Sequence, residues 1–244
     1  MVERPIFVAK PASRELVDEV FLHTIWRPGF EAAEKKENIK SLHEAAEKAG
    51  YRNILEVSTK SANKRGRHLS AFHLKVKTTQ KGWVPLECAF QGSKVFEHGG
   101  PFVDLFNAEP REAKKDRRLK ESGQLVAFRF EDIDWPLEPK TTFYDWLYLT
   151  SVYPHREWAV KLYAYGGFSD IEFDPTRSIN CQARSVALFL SLMKRGQLDD
   201  AVKSSSDFIH ILRDSDYRPD SSAKKRARAF WLCALAVRSA LMTE

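Results

Sequence analysis

A chain of 244 residues with 43% hydrophobic and 12% aromatic residues can bury a sizeable core, which excludes a disordered, collagen-like or disulfide-scaffold protein. No stretch approaches the roughly 20 apolar residues that span a bilayer, and the opening MVERPIFVAKPASRE is charged and broken by proline where a secretory signal needs an apolar block, so a cytoplasmic protein with no membrane partner is expected. The net charge of +6 favours polyanionic partners such as nucleic acid or a phosphorylated small molecule.

In chain order, the first predicted element is helical: in 31–49, Ile39, Leu42, Ala46 and Ala49 recur at helical spacing, with Gly50 as the cap, which makes 1–50 an N-terminal helical region. ILEVS (54–58) and AFHLKVK (71–77) read as short strands, and the basic link between them suits a surface loop that meets phosphates. A helix is predicted from about Leu86 to Glu97, closed by Gly99 and Gly100, then a polar helix opened by Pro110 and a strand LVAFRF at 125–130. From Lys140 onward successive segments carry apolar residues at three- and four-residue intervals, with 197–244 as a C-terminal helical extension. No repeat or linker divides the chain, so 1–244 is expected to be one domain, mainly α with a small β-sheet.

Three basic runs, Lys60–His68, Lys114–Lys120 and Lys224–Arg228, are each better explained by a solvated helix face or loop than by a contact site. Cys88, Cys181 and Cys233 are odd in number and lack CxxC spacing, which predicts buried reduced thiols and neither a zinc site nor a disulfide. Tyr144, Asp145 and Trp146 read as core, with Asp145 satisfied by a hydrogen bond. No Walker loop, GxGxxG, HExxH or GxSxG occurs, which disfavours nucleoside triphosphatase, Rossmann, zinc-protease and serine-hydrolase chemistry, and no cofactor is expected.

The chemically suggestive segment is LECAFQGSKVF. On a continuous helix Glu87, Gln91 and Lys94 fall at i, i+4 and i+7, and the first and last differ by roughly 20° around the axis, so a carboxylate and an amine share one face. An ordinary exposed helix stripe has the same spacing, and spacing alone leaves both readings open.

The string Leu86 to Phe96, preceded by Trp83, resembles the signature of the NADAR family, with its Glu, aromatic-Gln pair and Lys-x-aromatic end. Ser70-Ala71-Phe72-His73 is similar to the family's upstream element, and Gly167 to Ile171 with Ser178 to Asn180 to its later one. The likeness spans roughly 68–196 and departs from the family at Ala71, Cys88 and Ser169-Asp170. It implies a NADAR-like architecture closest to the branch paired with DarT-type toxins, an N-glycosidase that removes ADP-ribose from the guanine amino group in DNA. ADP-ribosylated DNA is then the substrate, ADP-ribose the product, and a DarT-type toxin the partner. The resemblance makes Glu87 the general acid and base and Lys94 the nucleophile or electrostatic stabiliser. Around them Trp83, Phe72 and Phe168 are expected to stack on bases, Asp170 and Asn180 to bind ribose hydroxyls, and Arg67 or Arg184 to hold the diphosphate, with Ser70 and Gln91 as further ligand contacts. Two alternatives are an N-glycosidase on a small phosphorylated riboflavin-pathway metabolite and a non-catalytic module that binds toxin or nucleic acid.

Overall fold

The computed structural model describes residues 1–29 and 31–219. The N-terminal region corrects the helical expectation for 1–50: strands β1 (Val2–Lys10) and β2 (Leu16–Thr24) form an antiparallel hairpin, and only then comes helix α1 (Ala32–Lys48). The physical reason lies in how β1 is covered. Ile6 joins a cluster with Leu22, Leu42 and Ala46, while Phe7 belongs to the main core. Both faces of the strand are buried, so it shows no alternation of apolar and polar residues.

Helix α1 ends as its sequence demands. Gly50 adopts φ +90, its N–H bonds to the Glu47 carbonyl at 2.9 Å, and the Tyr51 N–H bonds to the Ala46 carbonyl at 2.9 Å. This is a Schellman closure, in which a left-handed residue turns two orphan carbonyls into acceptors. The chain continues through β3 (Ile54–Glu56), the short helix α2 (Lys64–His68), and a hairpin of β4 (Lys75–Thr78) and β5 (Gly82–Pro85). It then enters α3 (Leu86–Gly92), β6 (Lys94–Phe96), α4 (Pro110–Ala113) and α5 (Arg118–Glu121), the last two standing where one polar helix was expected. Strand β7 (Leu125–Phe130) matches its prediction and pairs with β6 and with β8 (Ile133–Trp135).

The rest of the described chain is helical but for one strand. Helix α6 (Thr142–Val152) leads through α7 (Arg156–Ala159) to β9 (Gly167–Ser169), then to α8 (Gln182–Lys194), α9 (Leu198–Lys203) and α10 (Ser205–Arg213). Strand β9 lies between β1 and β3 and completes the four-stranded sheet β2-β1-β9-β3. The predicted helical segment in 220–244, with Cys233 and the third basic run, lies outside the described residues.

Helix α8 is the central post: every residue from Ala183 to Leu192 is buried. Aromatic packing fills the space beside α6, with ring centroids 4.8 Å apart for Phe128 and Phe143 and 4.8 Å for Trp135 and Trp146. Asp145 is buried among them and is satisfied as expected, accepting from Thr141 Oγ1 at 2.6 Å, Ser185 Oγ at 2.6 Å and Tyr217 OH at 3.0 Å. Cys88 and Cys181 are buried free thiols. The fold is the expected mixture of helices with small sheets. No helix among the described residues is long and apolar enough to cross a membrane.

Candidate active site

Helix α3 follows β5 without a loop, and Pro85 at its N-cap offers no side-chain acceptor. Its first amides bond instead to the preceding loop, Leu86 N–H to the Leu74 carbonyl at 2.9 Å and Glu87 N–H to the Ala71 carbonyl at 3.2 Å. That loop is fixed in turn. The Tyr148 hydroxyl donates to the Leu69 carbonyl, and the Ala71 N–H donates to Gln182 Oε1 at 2.6 Å. Glu87 is therefore aimed by two helices that lie far from it in sequence.

The helix expected to run to Glu97 stops at Gly92. Strand β7 takes over the chain at that point: Arg129 N–H bonds to the Ser93 carbonyl at 2.7 Å, and Lys94 pairs with Phe128. Strand pairing overrides the helical spacing. Gly100 makes the following turn possible, since it adopts φ +89 and a Cβ there would lie 2.2 Å from the Lys94 carbonyl oxygen. Lys94 is thus the first residue of a strand, and it reaches the same point by a different route.

Three side chains form a line. The Lys94 ammonium donates to Gln91 Oε1 at 2.6 Å, and Gln91 Nε2 donates to Glu87 Oε1 at 2.9 Å. An amide carbonyl toward the amine and an amide NH2 toward the carboxylate is the orientation that satisfies both neighbours. Glu87 is 6% exposed, and its Oε2 has no hydrogen-bond partner among the described residues. Burial pushes the Lys94 amine down to about 8; Glu87 opposes that shift and Lys114 adds to it. Lys114 Nζ lies 4.0 Å from Glu87 Oε1 and 5.6 Å from the centroid of the Phe72 ring.

The line opens into a cleft of about 870 Å³. Lys35, Lys60, Lys94, Arg111, Lys114 and Lys115 line it against Glu87, Asp170 and Glu172, six basic side chains to three acidic. Tyr144 also faces it and packs edge-on against Phe90 at 5.1 Å. Burial and the nearby Glu87 hold the Tyr144 phenol well above its usual pKa, so it stays a proton donor, and its hydroxyl has no partner among the described residues.

Two further acids lie close by: Asp170 lines the cleft, and Glu56, which is fully buried, accepts from the Ile171 amide next to it. Glu56 accepts from Ser58 Oγ at 2.6 Å, Ile171 N–H at 2.8 Å and Ser169 Oγ at 2.6 Å, and Ser169 Oγ lies 2.9 Å from His43 Nε2. Asp170 accepts from the Glu172 amide at 3.0 Å and from Gln182 Nε2 at 3.1 Å. Burial pushes the Glu56 carboxyl up to about 8 and Asp170 to about 6, and the same cause lowers His43 to about 4.

Of the residues singled out from sequence, Glu87, Lys94, Gln91, Ser70, Phe72, Asp170 and Asn180 meet in this cleft. Four do not. Arg67 donates to the Ser61 and Ala62 carbonyls at 2.7 and 2.8 Å, Phe168 is a core residue at 1% exposure, and Trp83 faces a different groove. Arg184 is buried and pairs with Glu19 at 3.0 Å, with its guanidinium 4.9 Å from the Phe7 ring centroid, a structural cation. Sequence reasoning passed over Lys114, lost in a basic run, and Tyr144, read as core. Only tertiary contact distinguishes them.

Among the described residues no group of three or more His, Cys, Asp or Glu is placed to hold a metal ion. A search of curated proteins finds no match. The DarT1-associated NADAR antitoxins match residues 2–222, well beyond the 68–196 over which the likeness was first drawn. With nearly the whole chain covered, the protein belongs to the family of DarT1-associated NADAR antitoxins.

Proposed function

We propose that the protein hydrolyses the N-glycosidic bond between ADP-ribose and the guanine amino group in DNA, and so reverses the modification made by a DarT-type toxin. NADAR proteins are N-glycosidase-like hydrolases, and this chain belongs to their DarT1-associated antitoxin branch. The observation that carries the reading is the Glu87–Gln91–Lys94 line, ending in an open carboxylate oxygen and an amine of lowered pKa inside a basic cleft. A volume of about 870 Å³ suits a dinucleotide-sized ligand.

Cleavage passes through an oxocarbenium-like state, which needs a proton for the departing nitrogen and a nucleophile for the anomeric carbon. As general acid, Glu87 passes a proton to the guanine nitrogen as the C1–N bond breaks. The Lys94 lone pair bonds to C1, the proton that the amine sheds passes to the ring oxygen as the bond between C1 and that oxygen breaks, and the opened ribose is left as a protonated imine. Water adds to C1 with Glu87 as base, the C–Nζ bond breaks, and the amine and the closed sugar return. One water is consumed. An amine of ordinary lysine pKa is neutral about once in a thousand at pH 7.5, whereas one at about 8 is neutral roughly a quarter of the time.

Lys114, Lys115 and Arg111, which line the cleft, supply donors for the phosphate oxygens. Phe72, Ser70, Asn180 and the Tyr144 hydroxyl are free to contact the nucleotide. Asp170, whose oxygens are occupied, holds Gln182 and through it the Ala71 loop. Lys35 pairs with Glu172 at 3.4 Å, Lys114 lies 4.0 Å from Glu87 and Lys94 serves as the nucleophile, yet Lys60, Arg111 and Lys115 still give the cleft more positive charge than a monophosphorylated metabolite requires, which favours the polynucleotide over the riboflavin-pathway alternative. The test is product analysis by mass spectrometry: an ADP-ribosylated guanine oligonucleotide should yield free ADP-ribose and unmodified oligonucleotide. An oligonucleotide that keeps the adduct, under conditions where the protein is folded, removes the proposal.

A further inference from the structure

The loop that walls the cleft has a second side. Ser70, Ala71 and Phe72 face the catalytic line, while Leu69, His73 and Leu74 face a separate groove of about 600 Å³. Trp83, Trp158, His68, His155 and Lys75 complete much of its lining, and among the described residues no carboxylate contributes to it. Trp83 is 54% exposed on strand β5, where a large indole in contact with water calls for an occupant. The His73 ring is fixed by its Nδ1, 2.9 Å from the Arg67 carbonyl. Since that carbonyl can only accept, Nδ1 carries the hydrogen and Nε2 remains available to another partner.

We propose that this groove holds an unpaired nucleobase that flanks the modified guanine, so that the substrate strand crosses the Phe72–His73 ridge from one cavity to the other. The inference rests on the DNA reading of the catalytic cleft. Two indoles and the imidazoles supply stacking faces, Lys75 supplies a cation for the connecting phosphates, and no lining carboxylate repels them. Stacking tolerates any base, so the groove adds affinity for a strand without a sequence requirement. A base in a duplex is already stacked and paired, and the groove therefore selects single-stranded DNA.

The experiment compares Trp83→Ala with wild type on two substrates, ADP-ribosylated guanosine and a short single-stranded oligonucleotide carrying the same adduct. Trp83 lies outside the catalytic cleft, so turnover of the nucleoside should not change. KM for the oligonucleotide should rise about 5- to 100-fold at similar kcat, Trp83→Phe should restore most of it, and a complementary strand should cancel the advantage of wild type. Equal KM for both substrates in wild type, or an oligonucleotide KM unaffected by Trp83→Ala, overturns the proposal. So does a variant that keeps oligonucleotide turnover but no longer retains a DarT-type toxin, which would make the groove a protein-docking surface. If wild type cleaves neither substrate, the catalytic reading fails and the groove is decided by binding alone. Unmodified single-stranded oligonucleotide should then quench tryptophan fluorescence in wild type with several-fold higher affinity than in Trp83→Ala, and equal affinities would sink the idea.

Discussion

Two clusters of buried polar side chains, one in the cleft and one beside it, carry the same kinds of groups in opposite states. At the ends of β3 and β9, Glu56 and Asp170 are buried carboxyls whose oxygens are all accepting, from Ser58, Ser169, Gln182 and backbone amides, and of the two Asp170 lines the cleft. On the α3–β6 wall, Glu87 is nearly as buried, yet one oxygen is open and Lys94 has one acceptor for three donors. A saturated polar cluster holds a shape. An unsaturated one, buried at a cost and facing a cavity, is ready to bind and react. The contrast extends to cations: Arg184 is paired with Glu19, whereas Lys94 touches no carboxylate directly and meets Glu87 only through Gln91.

If that contrast is functional, the largest effect belongs to Glu87. Glu87→Gln keeps shape and the Gln91 contact but removes the proton donor, so kcat for adduct cleavage should fall about 10²–10⁴-fold while the thermal midpoint moves by a few degrees at most. The non-catalytic alternative predicts the reverse: protection of cells against the toxin would survive this substitution. A variant that retains turnover would make the open carboxylate oxygen as structural as those of Glu56.

Lys94 sharpens the comparison further. Lys94→Arg preserves charge but supplies no neutral nucleophile, and a loss of about 10²-fold in kcat is expected from a nucleophile's removal where the acid remains. The lowered amine pKa also sets a sign for wild type: the neutral form grows as pH rises through about 8, so acylation of Lys94 by an amine-selective reagent should climb there and level off above. Borohydride added during turnover should crosslink the sugar to Lys94 in wild type and to nothing in the variant. Absence of the crosslink together with near-normal Lys94→Arg activity would make the amine an electrostatic partner.

How much of this was legible in the sequence follows from the range of the forces involved. Gly50 and the Leu125–Phe130 strand carry local signals, and each appears where those signals placed it. Strand β1 did not, because a strand buried on both faces has no period of two. Glu87 and Lys94 were found together for a reason only partly right: the helix that was to align them ends at Gly92, and the amine reaches Gln91 from a strand. Lys114 and Trp83 were misjudged in opposite directions, one dismissed within a charge run and the other assigned to the catalytic cleft, since neither spacing nor composition records which cavity a side chain meets.

The smallest expected effect tests the other cluster, through stability. Glu56 is raised from 4.5 to about 8, so its contribution to stability is full below about 4.5 and is lost as pH rises through about 8. Two other groups work outside the upper part of that window. His43, lowered from 6.5 to about 4, destabilises the fold only as pH falls below 6.5, and the penalty on Lys94 is full up to about 8 and fades toward 10.5. Asp170, raised to about 6, has lost most of its contribution by then. Between pH 6.5 and 8 the decline in wild-type stability therefore belongs to Glu56 and should be on the order of 1–2 kcal/mol. In Glu56→Gln the amide oxygen still accepts from Ser58 and the Ile171 amide, and Nε2 donates to Ser169, whose hydroxyl turns toward His43. Denaturant midpoints across this interval should fall in wild type and stay level in the variant, with catalysis retained in both. A wild-type midpoint that rises with pH would remove the raised Glu56 carboxyl, a variant that loses turnover while folded would place Glu56 in the reaction, and either result would erase the distinction between the two clusters.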